Sequence, residues 1–196
     1  MPAKRRQRSR DSPWRQRPNR EQLTRYFIGT EGLAERALAR WIESLCIDAG
    51  HAIFFDISKI GSGGGATLSV IQRTLTNRNH SRRGPFSHTL VFLDEDRRTV
   101  DGPDAEELAR RERIHLIWQT PNIEGLFLRL FPGQENRQPP ADQTVRALER
   151  HWPNYKKNNI AAADLKERFM LSDLQRAAHF DHRLSLLLGV LKLDHK

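Results

Sequence analysis

Short apolar runs alternate with longer amphipathic stretches over the first two thirds of the chain. The runs predict four strands, at residues 25–29, 51–57, 89–93 and 114–118. Apolar side chains spaced three and four apart predict the intervening helices, at about residues 33–45, 67–77, 104–113 and 123–131. Strand–helix alternation at this spacing is typical of βαβ units. The expected fold is therefore α/β, with a mostly parallel, Rossmann-like sheet of about four strands flanked by helices.

The pattern changes after Pro132. Residues 133–141 are rich in proline and glutamine and are predicted to form a linker. Beyond it, the apolar spacing predicts three helices, at about residues 142–151, 161–170 and 172–192. The last of these carries enough leucine and alanine to dock on a neighbouring layer. We therefore expect an α/β domain over residues 23–132 and a helical C-terminal extension, residues 133–196, packed on the same domain.

The net charge of +9 is concentrated near the N-terminus. Residues 1–20 contain eight Lys or Arg and one acid, whereas the remainder contains 25 bases and 23 acids. A basic segment without apolar periodicity is expected to be disordered, which predicts a tail over residues 1–22. Two interpretations stay open: a solvated tail, or an arm that binds nucleic-acid phosphates. In the second interpretation the phosphate contacts are expected from Arg5, Arg6, Arg8 and Arg10.

The composition excludes several classes of protein. Cys46 is the only cysteine, so neither an intrachain disulfide nor a cysteine-held metal cluster is possible. No apolar run approaches the roughly 20 residues of a membrane span, and no secretory signal pattern follows the basic start. The expected location is therefore cytoplasmic, without membrane contact.

Acidic residues follow three of the four predicted strands. They are Glu31 after the first strand, Glu35 one helical turn later, Asp94 and Asp96 after the third strand, and Glu124 after the fourth. The carboxyl ends of parallel strands meet at one edge, where open α/β sheets place their ligands. Side chains two apart on a strand point the same way, so Asp94 and Asp96 are predicted to face one point and Glu95 to turn away. Such carboxylates favour a hard divalent cation, and the alternative is a set of solvated acidic turns.

A glycine-rich loop supplies a competing interpretation. Residues 61–66 match the G-x-G-x-x-[G/A] pattern of dinucleotide sites, after a predicted strand and before a predicted helix. Asp94, the acid that ends the next strand, lies 31 residues after Gly63, whereas that pattern places its acid about 20 residues on. Three readings stay open for the loop: a flexible connection, a phosphate contact through helix amides, or a dinucleotide site.

Two sets of residues resemble a known family. Residues 28–32 (Ile-Gly-Thr-Glu-Gly) and 93–96 (Leu-Asp-Glu-Asp) are similar to the Toprim signature, a Glu-Gly turn followed by a later Asp-x-Asp. With Glu35 and residues 122–128 (Asn-Ile-Glu-Gly-Leu-Phe-Leu), the chain resembles the RloB-like family, whose members look like Toprim nucleases of the OLD type. The resemblance runs from about residue 26 to residue 155.

That resemblance implies a metal-dependent nuclease that hydrolyses phosphodiester bonds in DNA or RNA, including tRNA. It implies two Mg²⁺ or Mn²⁺ ions, with metal ligands Glu31, Glu35, Asp94, Asp96 and Glu124. Glu31, Asp94 and Asp96 would then be catalytic together with Lys156, and the sequence does not choose between Lys156 and Lys157. The implied partners are nucleic acid and an AAA/ABC-type ATPase encoded nearby, in an anti-phage or abortive-infection system.

Other expectations stay open at this point. Arg97, beside the acids, is expected either to bind nucleic-acid phosphate or to balance charge. His179 and His182 have the spacing of a helical metal pair, but the sequence offers no further cluster beside them. The alternative function is a non-catalytic, nucleic-acid-binding regulatory subunit of such a complex, and a homo-oligomer is one expected assembly.

Overall fold

Four parallel strands form the central sheet of the computed structural model, which describes residues 23–60, 66–98 and 101–194. The strands are β1 (Thr24–Thr30), β2 (Ile53–Lys59), β3 (His88–Asp94) and β4 (Ile114–Gln119), and they lie in the order β2-β1-β3-β4. Every pairing is parallel, and Asp94 at the end of β3 lies opposite Gln119 at the end of β4. The strands therefore place their carboxyl ends along one edge, and the predicted α/β fold is confirmed.

Eight α-helices occur in these described segments. They are α1 (Leu33–Asp48), α2 (Thr67–His80), α3 (Gly102–Arg111), α4 (Ile123–Arg129), α5 (Thr144–Glu149), α6 (Ala162–Arg168), α7 (Leu171–Ala178) and α8 (His182–Leu191). Short 3-10 turns lie at Glu95–Arg97, Ala141–Gln143 and Lys157–Asn159. None of the helices described is both long and apolar enough to cross a membrane.

Apolar side chains cover the sheet on both faces. In β3, Leu90 and Phe92 belong to one core, whereas Val91 and Leu93 belong to another. The first core includes residues of α1 and the second includes residues of α2 and α3. A strand buried on both faces needs no polar side, which explains why β3 is a continuous apolar run that ends in acids.

The C-terminal extension shares the first core. Leu165 of α6, Leu174 of α7 and Leu187 of α8 are buried in the same cluster as Trp41 of α1. The extension therefore covers the α1 side of the sheet and adds to the apolar surface that folding removes from water.

One predicted helix is wrong, because the pattern predicts a single helix over residues 172–192 and the structure has two, α7 and α8. The break is at Asp181, whose Oδ1 accepts hydrogen bonds from the backbone N–H groups of Arg183 (2.9 Å) and Leu184 (3.3 Å). An aspartate in this position satisfies the free donors at a helix start. The apolar spacing continues on both sides of Asp181, so periodicity alone does not reveal the break.

Candidate functional site

The first acidic segment of the candidate site is the turn from β1 into α1. Glu31 lies in the turn and is partly buried, and Glu35, in the first turn of α1, is 5% exposed. A Cβ atom at Gly32 would lie 2.5 Å from Oε2 of Glu35, so a larger residue there would displace the end of the Glu35 side chain. That Oε2 atom is buried and has no hydrogen-bond partner among the described residues. A buried carboxylate oxygen without a hydrogen-bond partner lowers the stability of the fold. Glu35 is therefore a candidate for a functional role.

The second segment is the end of β3. Asp94 is buried, and its Oδ1 accepts a hydrogen bond from the backbone N–H of Ile123, 2.9 Å away. Asp96 is exposed, and its Oδ2 lies 3.4 Å from Nδ2 of Asn122. Since β3 ends at Asp94, a 3-10 turn rather than strand alternation places Asp96. Both aspartates are thus linked to the β4–α4 loop.

The third segment is α4, which carries Glu124. Asn122 caps this helix, because its Oδ1 accepts a hydrogen bond from the N–H of Gly125 at 3.1 Å. Glu124 is fully buried, and Tyr155 donates its hydroxyl hydrogen to the carboxylate over 3.0 Å. Nζ of Lys157 lies 3.1 Å from the same carboxylate. The fold therefore connects Glu124 to the C-terminal extension.

The structure brings Lys157, rather than Lys156, to the acidic residues. Lys157 forms the ion pair with Glu124, whereas Lys156 lines a separate cavity together with Asp164 and Glu167. The two lysines are adjacent in sequence, so only the geometry of the 3-10 turn that begins at Lys157 separates them.

Burial and mutual repulsion raise the pKa values of three carboxyl groups in this cluster. The pKa of Asp94 rises to about 7, first because of burial and then because of Glu35. Burial is also the largest cause of the raised pKa of Glu35 and of Glu31. The nearby cations Lys157 and Arg97 oppose these shifts without cancelling them. The nearby cations therefore do not fully neutralise the carboxylates. A bound metal cation would supply the missing positive charge.

The raised pKa of Asp94 predicts how stability depends on pH in the absence of metal. The usual pKa is 3.8, so between about pH 4 and pH 7 the folded protein holds a proton that the unfolded chain releases. The stabilisation from that proton is complete below about pH 4 and is lost as the pH rises through about 7. We expect Asp94→Asn to raise the free energy of unfolding at pH 8 by on the order of 1 to 4 kcal/mol.

Urea denaturation in EDTA at pH 5 and pH 8 measures this effect. Asparagine keeps the side-chain oxygen that accepts from Ile123, so the variant removes the charge and retains the acceptor. A variant that is less stable than the native protein at pH 8 would contradict the expectation.

The donor chemistry of the cluster fits a divalent cation. Carboxylate oxygens are the ligands that Mg²⁺ and Mn²⁺ prefer, and the free Oε2 of Glu35 adds one without a partner. Within the part of the chain that the structure describes, however, no three Asp, Glu, His or Cys side chains are arranged to hold a metal ion. Lys157 and Arg97 contact the carboxylates instead, and both side chains are about half exposed. In this structure these two cations neutralise part of the charge of the carboxylates.

Glu95 points away from the cluster, and its partners were not predicted. Both oxygens of its carboxylate pair with Arg183 at 2.6 Å, and Thr120 donates its hydroxyl hydrogen over 2.7 Å. The hydrogen bond from Arg183 is the main reason that the pKa of Glu95 falls to about 2. Arg183 belongs to no recognisable motif in the sequence. Only the fold reveals that this arginine joins α8 to Glu95, beside the acidic cluster.

Arg129 is a second structural cation that the sequence analysis missed. It is 1% exposed, and its guanidinium donates to the Thr120 carbonyl at 2.5 Å and to Asp181 at 2.8 Å. The available signal was a single arginine inside an otherwise apolar helix end, Leu-Phe-Leu-Arg-Leu-Phe. A lone charge in such a run indicates a buried ion pair. Both carboxylate oxygens of Asp181 are therefore engaged, one by Arg129 and the other by the N–H groups that begin α8.

The remaining predicted residues fall into two groups. Arg97 lies 3.8 Å from Glu31, which fits charge balance in this state. The tail residues Arg5, Arg6, Arg8 and Arg10 and the glycine-rich loop 61–65 lie outside the described residues. The expectations for nucleic-acid binding by the tail and for the loop therefore stay predictions.

Comparison with protein-family models, with curated proteins and with solved structures returned no match. The resemblance to RloB-like Toprim proteins therefore rests on the motif residues alone.

Proposed function

We propose that this protein hydrolyses phosphodiester bonds of nucleic acid, using Mg²⁺ or Mn²⁺ at the carboxyl edge of its sheet. One observation carries the proposal. Three separate segments deliver five carboxylates to that edge, and at least three of them have raised pKa values. Gathering like charges in a buried site lowers stability, and a solvated acidic surface would need no such arrangement.

The carboxylates have distinct roles in this proposal. Two bound divalent ions would supply an activated water and stabilise the leaving oxygen. Glu31, Asp94 and Asp96 would hold one ion, and Glu35 and Glu124 would help to hold the second. Asp94 and Glu35 carry protons more readily than ordinary carboxyl groups, so they release protons when a cation binds.

Two cations near the carboxylates contribute to binding of the phosphate. Lys157, which pairs with Glu124 in the absence of metal, would offset negative charge on the reacting phosphate with its ammonium group. Arg97 is 53% exposed and turns from Glu31 to a neighbouring phosphate of the same strand. In the metal-free state both groups reduce the repulsion among the acids.

The motif resemblance extends the proposal to a biological setting. The resemblance to RloB-like proteins implies an effector of an anti-phage or abortive-infection system that acts with an AAA/ABC-type ATPase. We therefore place this chain in such a system, with DNA, tRNA or other RNA as the substrate.

Purified protein incubated with labelled DNA, tRNA and unstructured RNA tests the proposal, with Mn²⁺, Mg²⁺ or EDTA and with or without the neighbouring ATPase. Cleavage is expected with Mn²⁺ or Mg²⁺ and is expected to stop in EDTA. Lys157→Ala should reduce the rate by about tenfold to a hundredfold, whereas Lys156→Ala should stay near the native rate. Equal cleavage in EDTA, or cleavage of no substrate under any condition, would overturn the proposal.

The regulatory subunit is the second candidate function, and one observation favours it. Lys157 and Arg97 already contact the carboxylates, and no ready-made metal arrangement occurs in the described residues. Such a protein would bind nucleic acid, and calorimetry would detect Mn²⁺ binding without any cleavage. Metal binding combined with persistent inactivity, also beside the ATPase, would favour this reading.

A further inference from the structure

A cavity of about 490 Å³ opens at the opposite edge of the sheet, where β3 begins. Its polar lining includes Arg78, Ser81, Ser87, His88, Glu112 and Arg113. His88 begins β3 at this edge and Asp94 ends it, which separates the two residues by about 20 Å at the rise of a parallel strand. The cavity is therefore separate from the acidic cluster, and its size falls in the range of small-ligand sites.

Arg78 lines this cavity, and its contacts with the described residues are long. Its side chain is 22% exposed, with Thr89 Oγ1 and Asn79 Oδ1 each at 3.4 Å and Glu112 at 3.8 Å. The partly buried Arg176 and Arg183 instead meet carboxylates at 2.6 to 2.7 Å. A guanidinium whose carboxylate neighbour lies as far away as 3.8 Å retains hydrogen-bond donors for a ligand.

The rest of the lining agrees with an anionic ligand. Arg113 adds a second guanidinium and Glu112 the only carboxylate among the lining residues, so the formal balance is positive. Ser81 and Ser87 line the same space, and the Ser81 hydroxyl group already donates its hydrogen to Oδ2 of Asp56 at 2.6 Å. The loop that forms one wall is held in place, since Arg25 donates to the carbonyl of Arg83 at 2.6 Å. A wall fixed in this way keeps its polar groups in position before a ligand arrives.

We propose that this cavity binds a phosphate group, carried either by a free nucleotide or by the backbone of a nucleic-acid strand. Arginine forks match the paired oxygens of a phosphate, and the hydroxyl group of Ser87 is a further donor for the remaining oxygens. The volume exceeds that of a bare anion and leaves room for the sugar that carries the phosphate. The site does not depend on metal at the acidic edge, so it stands whether or not the proposed hydrolysis is correct.

Equilibrium binding to the full chain in EDTA tests the site, with inorganic phosphate, AMP and a fluorescent 12-nucleotide strand as probes. Arg78→Gln and Arg113→Gln are each expected to weaken binding by at least about tenfold, the loss expected when one charged hydrogen-bond donor is removed. Arg110→Gln is the control, because Arg110 is 76% exposed on α3 and pairs with Glu107 outside the cavity lining. It should change affinity by less than about twofold.

The three probes distinguish the source of the phosphate. Sensitivity of AMP binding to Arg78→Gln indicates a nucleotide site, whereas sensitivity of the strand alone indicates a backbone contact. The basic tail is present in every variant, so its contribution cancels in each comparison. Binding that is equal in Arg78→Gln, Arg113→Gln and Arg110→Gln, or native protein that binds none of the probes, would refute the site. Thermal unfolding of each variant identifies any loss of binding that comes from unfolding.

Discussion

Replacing Asp94 by asparagine is expected to lower Mn²⁺-dependent cleavage by about a hundred- to a thousandfold, as when one preorganised electrostatic group is removed from an active site. Asparagine is neutral and offers one oxygen, whereas aspartate offers two charged oxygens to a cation. The measurement is the initial rate of strand cleavage under saturating Mn²⁺, together with the Mn²⁺ dissociation constant from calorimetry. Both quantities should worsen, because the same carboxylate is proposed to bind the ion and to act in catalysis.

The control for this variant is Asp48→Asn, which makes the same chemical change at the far end of α1. Asp48 is 57% exposed and pairs with Lys166 at 3.0 Å, so its loss should leave the cleavage rate unchanged. Asp94→Asn should also be more stable than the native protein at pH 8, so lower activity would not reflect unfolding. A substitution that lowers activity while it raises stability is expected where a functional site destabilises the fold. Full activity in Asp94→Asn would contradict the assignment.

The sheet and its acidic edge could be predicted because they depend on local pattern. The apolar run of β3 is long enough to specify a buried strand, and its end at Asp94 places the acid at the edge. Glu31 and Glu124 follow β1 and β4 in the same way. Strand connectivity then brings these acids together without any knowledge of side-chain contacts.

The cations around that edge could not be predicted, because each depends on a partner far along the chain. Arg183 meets Glu95 across 88 positions, and Arg129 meets Asp181 across 52. Lys157 meets Glu124 only because of the turn geometry that separates it from Lys156. Periodicity carries no information about such pairings, which the packing of the C-terminal helices determines.

Replacing Arg129 by methionine is expected to lower the free energy of unfolding by about 3 to 5 kcal/mol, since one partner of a buried ion pair would remain without its counter-ion. Methionine retains much of the apolar length of arginine but donates no hydrogen bond. Asp181 would keep its capping role while losing its guanidinium, and the Thr120 carbonyl would lose its donor. Urea denaturation at constant pH measures the loss.

Two further variants decide whether the effect comes from the pair or from packing. Lys166→Met removes the exposed pair with Asp48 and should cost no more than about 1 kcal/mol. The double variant Arg129→Met/Asp181→Asn removes both charges, and asparagine still caps α8, so its loss should be smaller than the sum of the single losses. Additive losses would show that the ion pair contributes nothing beyond packing. Because Thr120 directly follows β4 and precedes Asn122 and Glu124, loss of the Arg129 pair is also expected to weaken Mn²⁺ binding. That effect would connect the C-terminal helices to the acidic edge.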